Sequence, residues 1–378
     1  VVVTFQGASM IRCRFCVLPN TRPDTAFVDG VCSACIAYQN RPRIDWQARA
    51  EQLKALVSRA CRAARERGMY YDCIVPSSGG KDSHAQVLTL LKLGARPLVV
   101  TAHTCHLTPI GRLNIDNLAR YATTVEVIPN QAVRAKLNRL GLTMVGDISW
   151  PEHVSIFTIP FIVARRTGIP FIFYGENPQN QYGGPIEAQD AQQMTRRWVS
   201  EFGGFLGLRP RDLVGVHGLT EADMSDYVLP EGAEVGIEAH FLGQYLPWDS
   251  HRNAEVARKA GMRQEMPSPA NFWSAENLDN GQCGLHCHGM YRKYGLGRGA
   301  AQISVDVRAG RITRDDALEW VRENDGLFPF EYAGASFAEV CDHIKMTQEQ
   351  VLRAFDKFTN WSLFSRVENN RPILREFS

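Results

Sequence analysis

Four short apolar runs, residues 72–76, 96–102, 125–129 and 169–174, punctuate the first half of the chain, and each is rich in β-branched or aromatic residues and bounded by polar or turn residues. Each predicts a strand, the first two of them buried. Between and before them lie amphipathic stretches, the longest running from Trp46 to Arg67 with Leu53, Leu56, Val57, Ala60 and Ala64 at helical spacing, Asp45 ahead of it and Gly68 after it. That spacing predicts a scaffold helix. Further helices are expected over residues 84–91 before Gly94, from Gly111, and over 156–166. Strands alternating with helices predict an α/β fold with a doubly wound, mainly parallel sheet, whose ligands sit beyond the carboxyl ends of the strands. The tail reads as helices at residues 300–309, 313–324, 336–341 and 347–358, expected to close over the sheet, and the Pro- and Gly-rich residues 267–284 read as a hinge or lid.

Composition narrows the classes. Lys plus Arg (42) nearly balance Asp plus Glu (40), which does not indicate a broad nucleic-acid-binding face. No apolar run reaches membrane-spanning length, and the expected location is the cytoplasm. Residues 1–9, with Phe5-Gln6-Gly7, read as a protease-cleavage and cloning remnant ahead of Met10. The expected organisation is then a zinc module at 10–44, a nucleotide domain at 45–260 and a helical region at 261–378.

The zinc expectation comes from Cys13, Cys16, Cys32 and Cys35, two Cys-x-x-Cys pairs among ten cysteines. Each pair can place two thiolates on one side of a turn, and four thiolates suit tetrahedral zinc in a closed, structural site. Reduced thiols in a loop, or a redox pair, are the plain alternatives.

Between the first strand and the next helix stands Ser77-Ser78-Gly79-Gly80-Lys81-Asp82-Ser83. Glycines let backbone N–H groups turn toward an anion, and the helix start adds its unpaired amides and dipole. Ser78, Gly79, Gly80, Lys81 and Ser83 therefore read as a phosphate site, with Asp82 suited to magnesium. An ordinary turn in which Ser83 merely caps the helix is the bland alternative. The distal glycine of Gly-x-x-x-x-Gly-Lys-Ser/Thr is missing, so a Walker-type loop is excluded. Thr101, Ala102 and His103 end the second strand, near the expected adenosine half of a nucleotide, though His103 and His106 also suit an ordinary polar rim. Residues 146–153 read as a polar loop, and 175–185, with Glu176 and Asn177, as the loop partnering the phosphate site.

Ser-Gly-Gly-Lys-Asp-Ser resembles the pyrophosphate loop of the ATP-pyrophosphatases (PP-loop proteins), which implies an adenine-nucleotide alpha-hydrolase-like sheet using ATP and Mg2+. With the cysteine pairs, residues 111–114, Trp150-Pro151, Gly175-Glu176-Asn177-Pro178, Tyr182-Gly183-Gly184, Pro247-Trp248-Asp249 and residues 293–298, the chain resembles the N-acetyl sugar amidotransferase family of lipopolysaccharide O-antigen and surface-glycan biosynthesis. Gly299-Ala300-Ala301-Gln302 departs from the Ala-Thr-Asp-His of many relatives. The resemblance implies an enzyme that adenylates the acetamido oxygen of a nucleotide sugar, with a UDP-linked diacetamido uronic acid fitting best, and displaces AMP with ammonia to leave an acetamidino sugar. Lys81, Asp82, Glu176 and Asn177 would act in catalysis. Asn114, Trp150, Glu152, Tyr182, Gly183 and Arg298 would meet the sugar.

Gly281-Gln282-Cys283-Gly284-Leu285 lacks both the second glycine and the preceding strand of a glutaminase elbow. The resemblance instead implies a separate glutaminase subunit, with a channel-forming companion, supplying ammonia. Cys283, His286, Cys287 and His288 suggest a second metal site or packed thiols. The competing enzyme reading is a PP-loop tRNA-modifying protein.

Overall fold

Five strands form the central sheet: β1 (Cys73–Pro76), β2 (Pro97–Ala102), β3 (Thr124–Val127), β4 (Phe171–Tyr174) and β5 (Glu238–Phe241). The computed structural model describes residues 10–23 and 25–378, so the remnant read at residues 1–9 lies outside the described residues. All neighbouring strands are parallel, in the order β3-β2-β1-β4-β5. The four strands expected from the apolar runs are present, and β5 is a fifth. Chain order runs outward in one direction through β2 and β3 and in the other through β4 and β5. The switch therefore falls between β1 and β4, where a crevice opens beyond the strand ends.

The helices of the first half are α1 (Ser33–Asn40) in the cysteine module, and α2 (Trp46–Glu66), α3 (Lys81–Lys92), α4 (Pro109–Leu118), α5 (Gln131–Val145) and α6 (Trp150–Thr167) around the sheet. The two-residue period of the strands sorts their side chains between two layers. Cys73, Val75, Val99, Phe171 and Phe173 pack against Leu53, Leu56, Val57 and Ala60 of α2 and Val87 and Leu90 of α3. Ile74, Leu98, Val100, Ile172 and Tyr174 face the other way, onto Ile159, Phe161, Val163 and Ala164 of α6. Both faces are thus covered, as a parallel sheet requires. Asp45 caps α2 by accepting from the Ala48 amide at 2.9 Å.

Two expectations are corrected here. Residues 146–153 are not all loop, because α6 already begins at Trp150; Pro151 sits in its first turn, where a missing N–H costs no intrahelical bond. The C-terminal helices do not close over the sheet, whose faces are already occupied. Instead helices Phe337–Ile344 and Gln348–Phe358 pack around Leu142 of α5 and Ile148, while helices Arg298–Arg308 and Arg314–Asn324 pack on the cysteine module. The tail also holds an antiparallel hairpin, Phe364–Glu368 with Arg371–Leu374, turned at Asn369 and Asn370, both at positive φ. Among the described residues no helix is long and apolar enough to cross a membrane.

Candidate functional site

The loop after β1 turns sharply because Gly79 adopts φ +79° against α4, where a Cβ would stand 2.8 Å from the Ile115 nitrogen. Only glycine meets both demands. Ser77 Oγ accepts from the Gly79 amide at 3.0 Å, and Ser83 Oγ accepts from the Ser78 amide at 3.3 Å. Gly80, in extended backbone, then caps α3, so the first amides of α3 face the crevice without intrahelical acceptors. His84, one turn in, bridges the Gly80 carbonyl (3.0 Å) and the Asn117 amide (3.0 Å) and so ties the loop to α4.

Charge gathers at this turn. Lys81 is 2% exposed, yet its ammonium meets Asp82 at 2.5 Å and Glu276 at 2.7 Å, with the Trp273 ring 5.8 Å away. Burial opposes its charge, but Asp82, then Glu276 and Glu176, more than offset that and raise its pKa. Asp82 is steered by Asn253, which donates to it at 2.8 Å. Glu276 accepts from Gln302 (2.9 Å) and from the Tyr182 hydroxyl (3.3 Å). Gln302 is fully buried, also accepts from the Phe272 and Trp273 amides, and so orients Glu276. Ser78, Gly79, Gly80, Lys81, Asp82, Ser83, Asn114, Glu176, Tyr182, Glu276 and Arg298 line one cavity.

Glu176 is the odd member. Its Oε2 is buried without a hydrogen-bond partner, and burial first, then Asp82 and Glu276, pushes its carboxyl up to about 8. Such an orphaned oxygen beside Asp82 fits a hard cation with oxygen ligands. Without one, Glu176 holds a proton in the folded state that the unfolded chain releases near 4.5, so folded stability is lost as pH rises from there through about 8. Lys81, Asp82, Glu276 and Arg298 are the charged groups that act on it. Glu176→Gln is expected to match the wild type near pH 4 and to exceed it in urea stability above pH 8; parallel pH curves would show an ordinary carboxyl.

The remaining expected site residues are placed differently. Asn177 caps the helix Pro178–Tyr182, its Oδ1 accepting from the Gln179 amide, and its Nδ2 donates to the carbonyls of Ala188 and Gln189, which leaves it clamping the loop. Asn114 lies in the cavity wall, but both ends of its amide are taken by the Arg263 backbone. Gly183 lies against Thr25 of the N-terminal module. Thr101 and Ala102 end β2 and His103 follows it, all outside that cavity's lining, with His103 bonded to Glu126.

Trp150 and Glu152 do not reach the cavity. Trp150 is fully buried among Val133, Leu137 and Val154, its indole N–H donating to the Phe205 carbonyl at 3.1 Å. Glu152 accepts from buried Arg134 (2.9 Å), Asn138 (2.8 Å) and the Cys105 amide (3.2 Å). Breaking a buried pair leaves an uncompensated guanidinium. Glu152→Ala is therefore expected to cost about 3–5 kcal/mol of stability, measured by denaturant melts, with substrate affinity of the folded fraction unchanged.

Cys13, Cys16, Cys32 and Cys35 are buried, and their sulfurs all lie within 4.8 Å of one another. Cys13–Cys35 and Cys16–Cys32 are each 3.7 Å apart, close to the edge of a tetrahedron built on Zn–S bonds of about 2.3 Å. Cys13 Sγ accepts from the Phe15 and Cys32 amides at 3.4 and 3.3 Å, as a thiolate in a turn would. The four cysteines can hold a zinc ion. The module is braced by the C-terminal region: Arg314 donates to the Cys13 and Cys16 carbonyls, and Arg12 to Glu376.

The second suggested metal group separates. His288 faces away, between Phe328 and Phe355, its Nδ1 donating to the Gly326 carbonyl at 3.2 Å, and burial lowers its pKa to about 3. His286 instead meets Asp147 at 2.7 Å, with His153 on the same carboxylate at 3.1 Å; these three could ligate an ion or stand as an ion-paired cluster. Cys283 and Cys287, one turn apart with sulfurs at 4.0 Å, remain near Arg298.

Fold and site together define an α/β protein with a glycine turn and helix start at the switch point of a parallel sheet and a four-cysteine module buttressed by its C-terminal region. Residues 270–375 match the family described as LPS biosynthesis protein WbpG-like, C-terminal domain. That segment carries Glu276, Arg298 and Gln302, and the match indicates involvement in lipopolysaccharide biosynthesis. No curated protein matches the chain.

Glu276 has no signature in the sequence. It stands in Ala275-Glu276-Asn277 without motif or spacing, and only the tertiary path of residues 262–282 brings it to Lys81. That path is pinned by Thr108, whose amide donates to the Asp279 carbonyl at 3.2 Å, and by a bridge between Leu107 and Asn280, so the segment read as a hinge or lid is tied down in this structure.

Proposed function

We propose that the protein is an ATP-dependent amidotransferase that converts the acetamido group of an N-acetylated nucleotide sugar into an acetamidino group in lipopolysaccharide biosynthesis. The observation that carries this reading is that the WbpG-like segment delivers Glu276 and Arg298 to the crevice where Lys81 and Asp82 stand beside a phosphate-type turn.

An amide oxygen is a poor leaving group. In the proposed reaction it attacks the α-phosphorus of ATP, the bond to pyrophosphate breaks, and an O-adenylyl imidate forms. Ammonia then adds to the activated carbon, the C–O bond to AMP breaks, and a proton is lost to leave the amidine. Magnesium, when bound, would neutralise charge on the phosphates. Asp82 and the free oxygen of Glu176 would hold it, while Lys81 and the first amides of α3 would take up charge developing on departing pyrophosphate. Thr101, Ala102 and His103 would border the adenosine.

Ammonia would come from a separate glutaminase subunit, through a channel-forming companion. This is supported by Cys283, which opens the helix Cys283–Tyr294 with no strand before it, unlike the strained elbow of a glutaminase nucleophile. Incubation with acetamido nucleotide sugars, ATP and an ammonium salt is expected to yield AMP, pyrophosphate and a product whose mass is lowered by the difference between O and NH. Glutamine-dependent turnover by the isolated chain, or no turnover with any acetamido sugar, would overturn the proposal.

A further inference from the structure

Asp147, His153 and His286 meet where the corner between α5 and α6 touches the C-terminal region. Asp147 lies just before α6, His153 in the first turn of α6, and His286 in helix Cys283–Tyr294 of the family-matched segment. One donor atom from each falls within 4.8 Å of the others. His286 Nδ1 is 2.7 Å from Asp147 Oδ1, and His153 Nδ1 is 3.1 Å from Asp147 Oδ2. The two imidazole rings stand 4.9 Å apart, nearly perpendicular at 76°. Donors sharing one ion at bond lengths of about 2.0–2.2 Å lie about 3–3.5 Å apart, so small rotations would bring this set onto an ion.

The contact between His286 and Asp147 alone would read as an ordinary ion pair. His153 does not fit that reading: its Nδ1 is buried and forms no hydrogen bond, although a carboxylate oxygen lies 3.1 Å away. A ring nitrogen that close and still unbonded points past the oxygen, as a ligand sharing a third partner with it would. Gly204, at φ +80°, keeps the space beside that nitrogen clear, since a Cβ there would stand 3.3 Å from it. The carboxylate is oriented by the Ser149 amide, which donates to Oδ1 at 2.9 Å, in the way outer contacts fix metal ligands. Gln282, one turn before His286 and fully buried, leaves its Oε1 without a partner while its Nε2 lies 3.4 Å from Ser149 Oγ. Asp147 is buried and both histidines are partly exposed, which leaves a way in for an ion and a water.

We infer that Asp147, His153 and His286 bind a divalent transition metal ion of the zinc or cobalt class, separate from the ion of the cysteine module. Two imidazoles with one carboxylate suit such ions better than magnesium or calcium, and better than the soft ions that thiolates select. Three protein ligands leave a position for water, so the ion exchanges more readily than zinc closed in by four sulfurs. Once bound, it would cross-link the α5–α6 corner to helix Cys283–Tyr294, whose Cys287 lies near Arg298 of the first cavity. The site stands on these three side chains and uses nothing of the ATP chemistry.

Cobalt(II) added to the full chain, with zinc already in its four cysteines, is expected to bind at about one further ion per chain. Cobalt X-ray absorption is expected to show a nitrogen and oxygen shell with the outer scattering of imidazole and no sulfur, while zinc content stays at its starting level. His153→Ala and His286→Ala are each expected to weaken cobalt binding by at least the ~10–100-fold that loss of an outer contact to a metal ligand costs. Should either variant fail to fold, the cobalt shell of the wild type decides, because it needs no substitution. A shell containing sulfur would place the ion on Cys283 and Cys287 or in the module, and a shell of oxygen alone would place it on the carboxylates of the first cavity. Either result overturns the site, as would unchanged affinity in the folded variants. Absence of uptake would leave only an ion-paired cluster and overturn it too.

Discussion

Lys81→Met is expected to abolish ATP-dependent release of pyrophosphate while zinc content stays at the wild-type level. Lys81 is the one cation in hydrogen-bond contact with both Asp82 and Glu276, among the described residues, and it stands at the first position of α3, where phosphate charge would develop. Losing such a preorganised donor typically costs about 3–4 kcal/mol in the transition state, or 10²–10³ in rate. The same change leaves two acids without their counter-ion, and breaking a buried pair costs about 3–5 kcal/mol of folding stability. A melting shift is therefore expected as well. Adding Glu276→Gln to Lys81→Met should recover part of that stability by removing one orphaned charge, without restoring turnover. Near-normal pyrophosphate release in the folded single variant would sink the assignment.

Loss of the metal should reach far beyond the module that holds it. Structural zinc in small modules contributes an apparent ~10–16 kcal/mol of folding free energy near neutral pH. Here Cys13, Cys16, Cys32 and Cys35 sit in one apolar cluster with Leu296, Ala300, Ile303, Ala317 and Val321. Cys32→Ser, or strong chelation, is expected to release about one zinc per chain and to raise amide exchange in helices Arg298–Arg308 and Arg314–Asn324 as well as in the module. Because Arg298 lies in that first helix, affinity for phosphate-bearing ligands should fall too. A metal-free protein with unchanged melting and exchange would show instead that the cysteines are reduced thiols packed in a loop.

Much of this was legible in the chain, for identifiable reasons. β1, β2 and β4 are compact apolar bursts, largely buried, and such runs announce themselves. β5 does not, because two of its four residues are Glu238 and His240, which pair with Arg59 and Tyr245. The sharp turn after β1 was legible because Gly79 and Lys81 answer local demands, a positive φ and a charge beside a helix start. Trp150 and Glu152 show the opposite case: a polar side chain in a sequence gives no sign whether its partner is a ligand or, as with Glu152 and Arg134, another part of the fold. Glu276 escaped notice because its role depends on where a long irregular segment runs, and no local pattern encodes that path.

The pairing of the cysteine module with the C-terminal helices also sets an order of events during synthesis. Cys35 leaves the ribosome long before Leu296, Ile303 and Val321, the side chains that cover it. At ~5–20 residues per second that interval is tens of seconds. Throughout it the module lacks that cover, and ligation of zinc by its four thiolates would be what holds it folded. Metal supply at the moment of translation, more than the stability of the finished protein, would then decide how many chains mature.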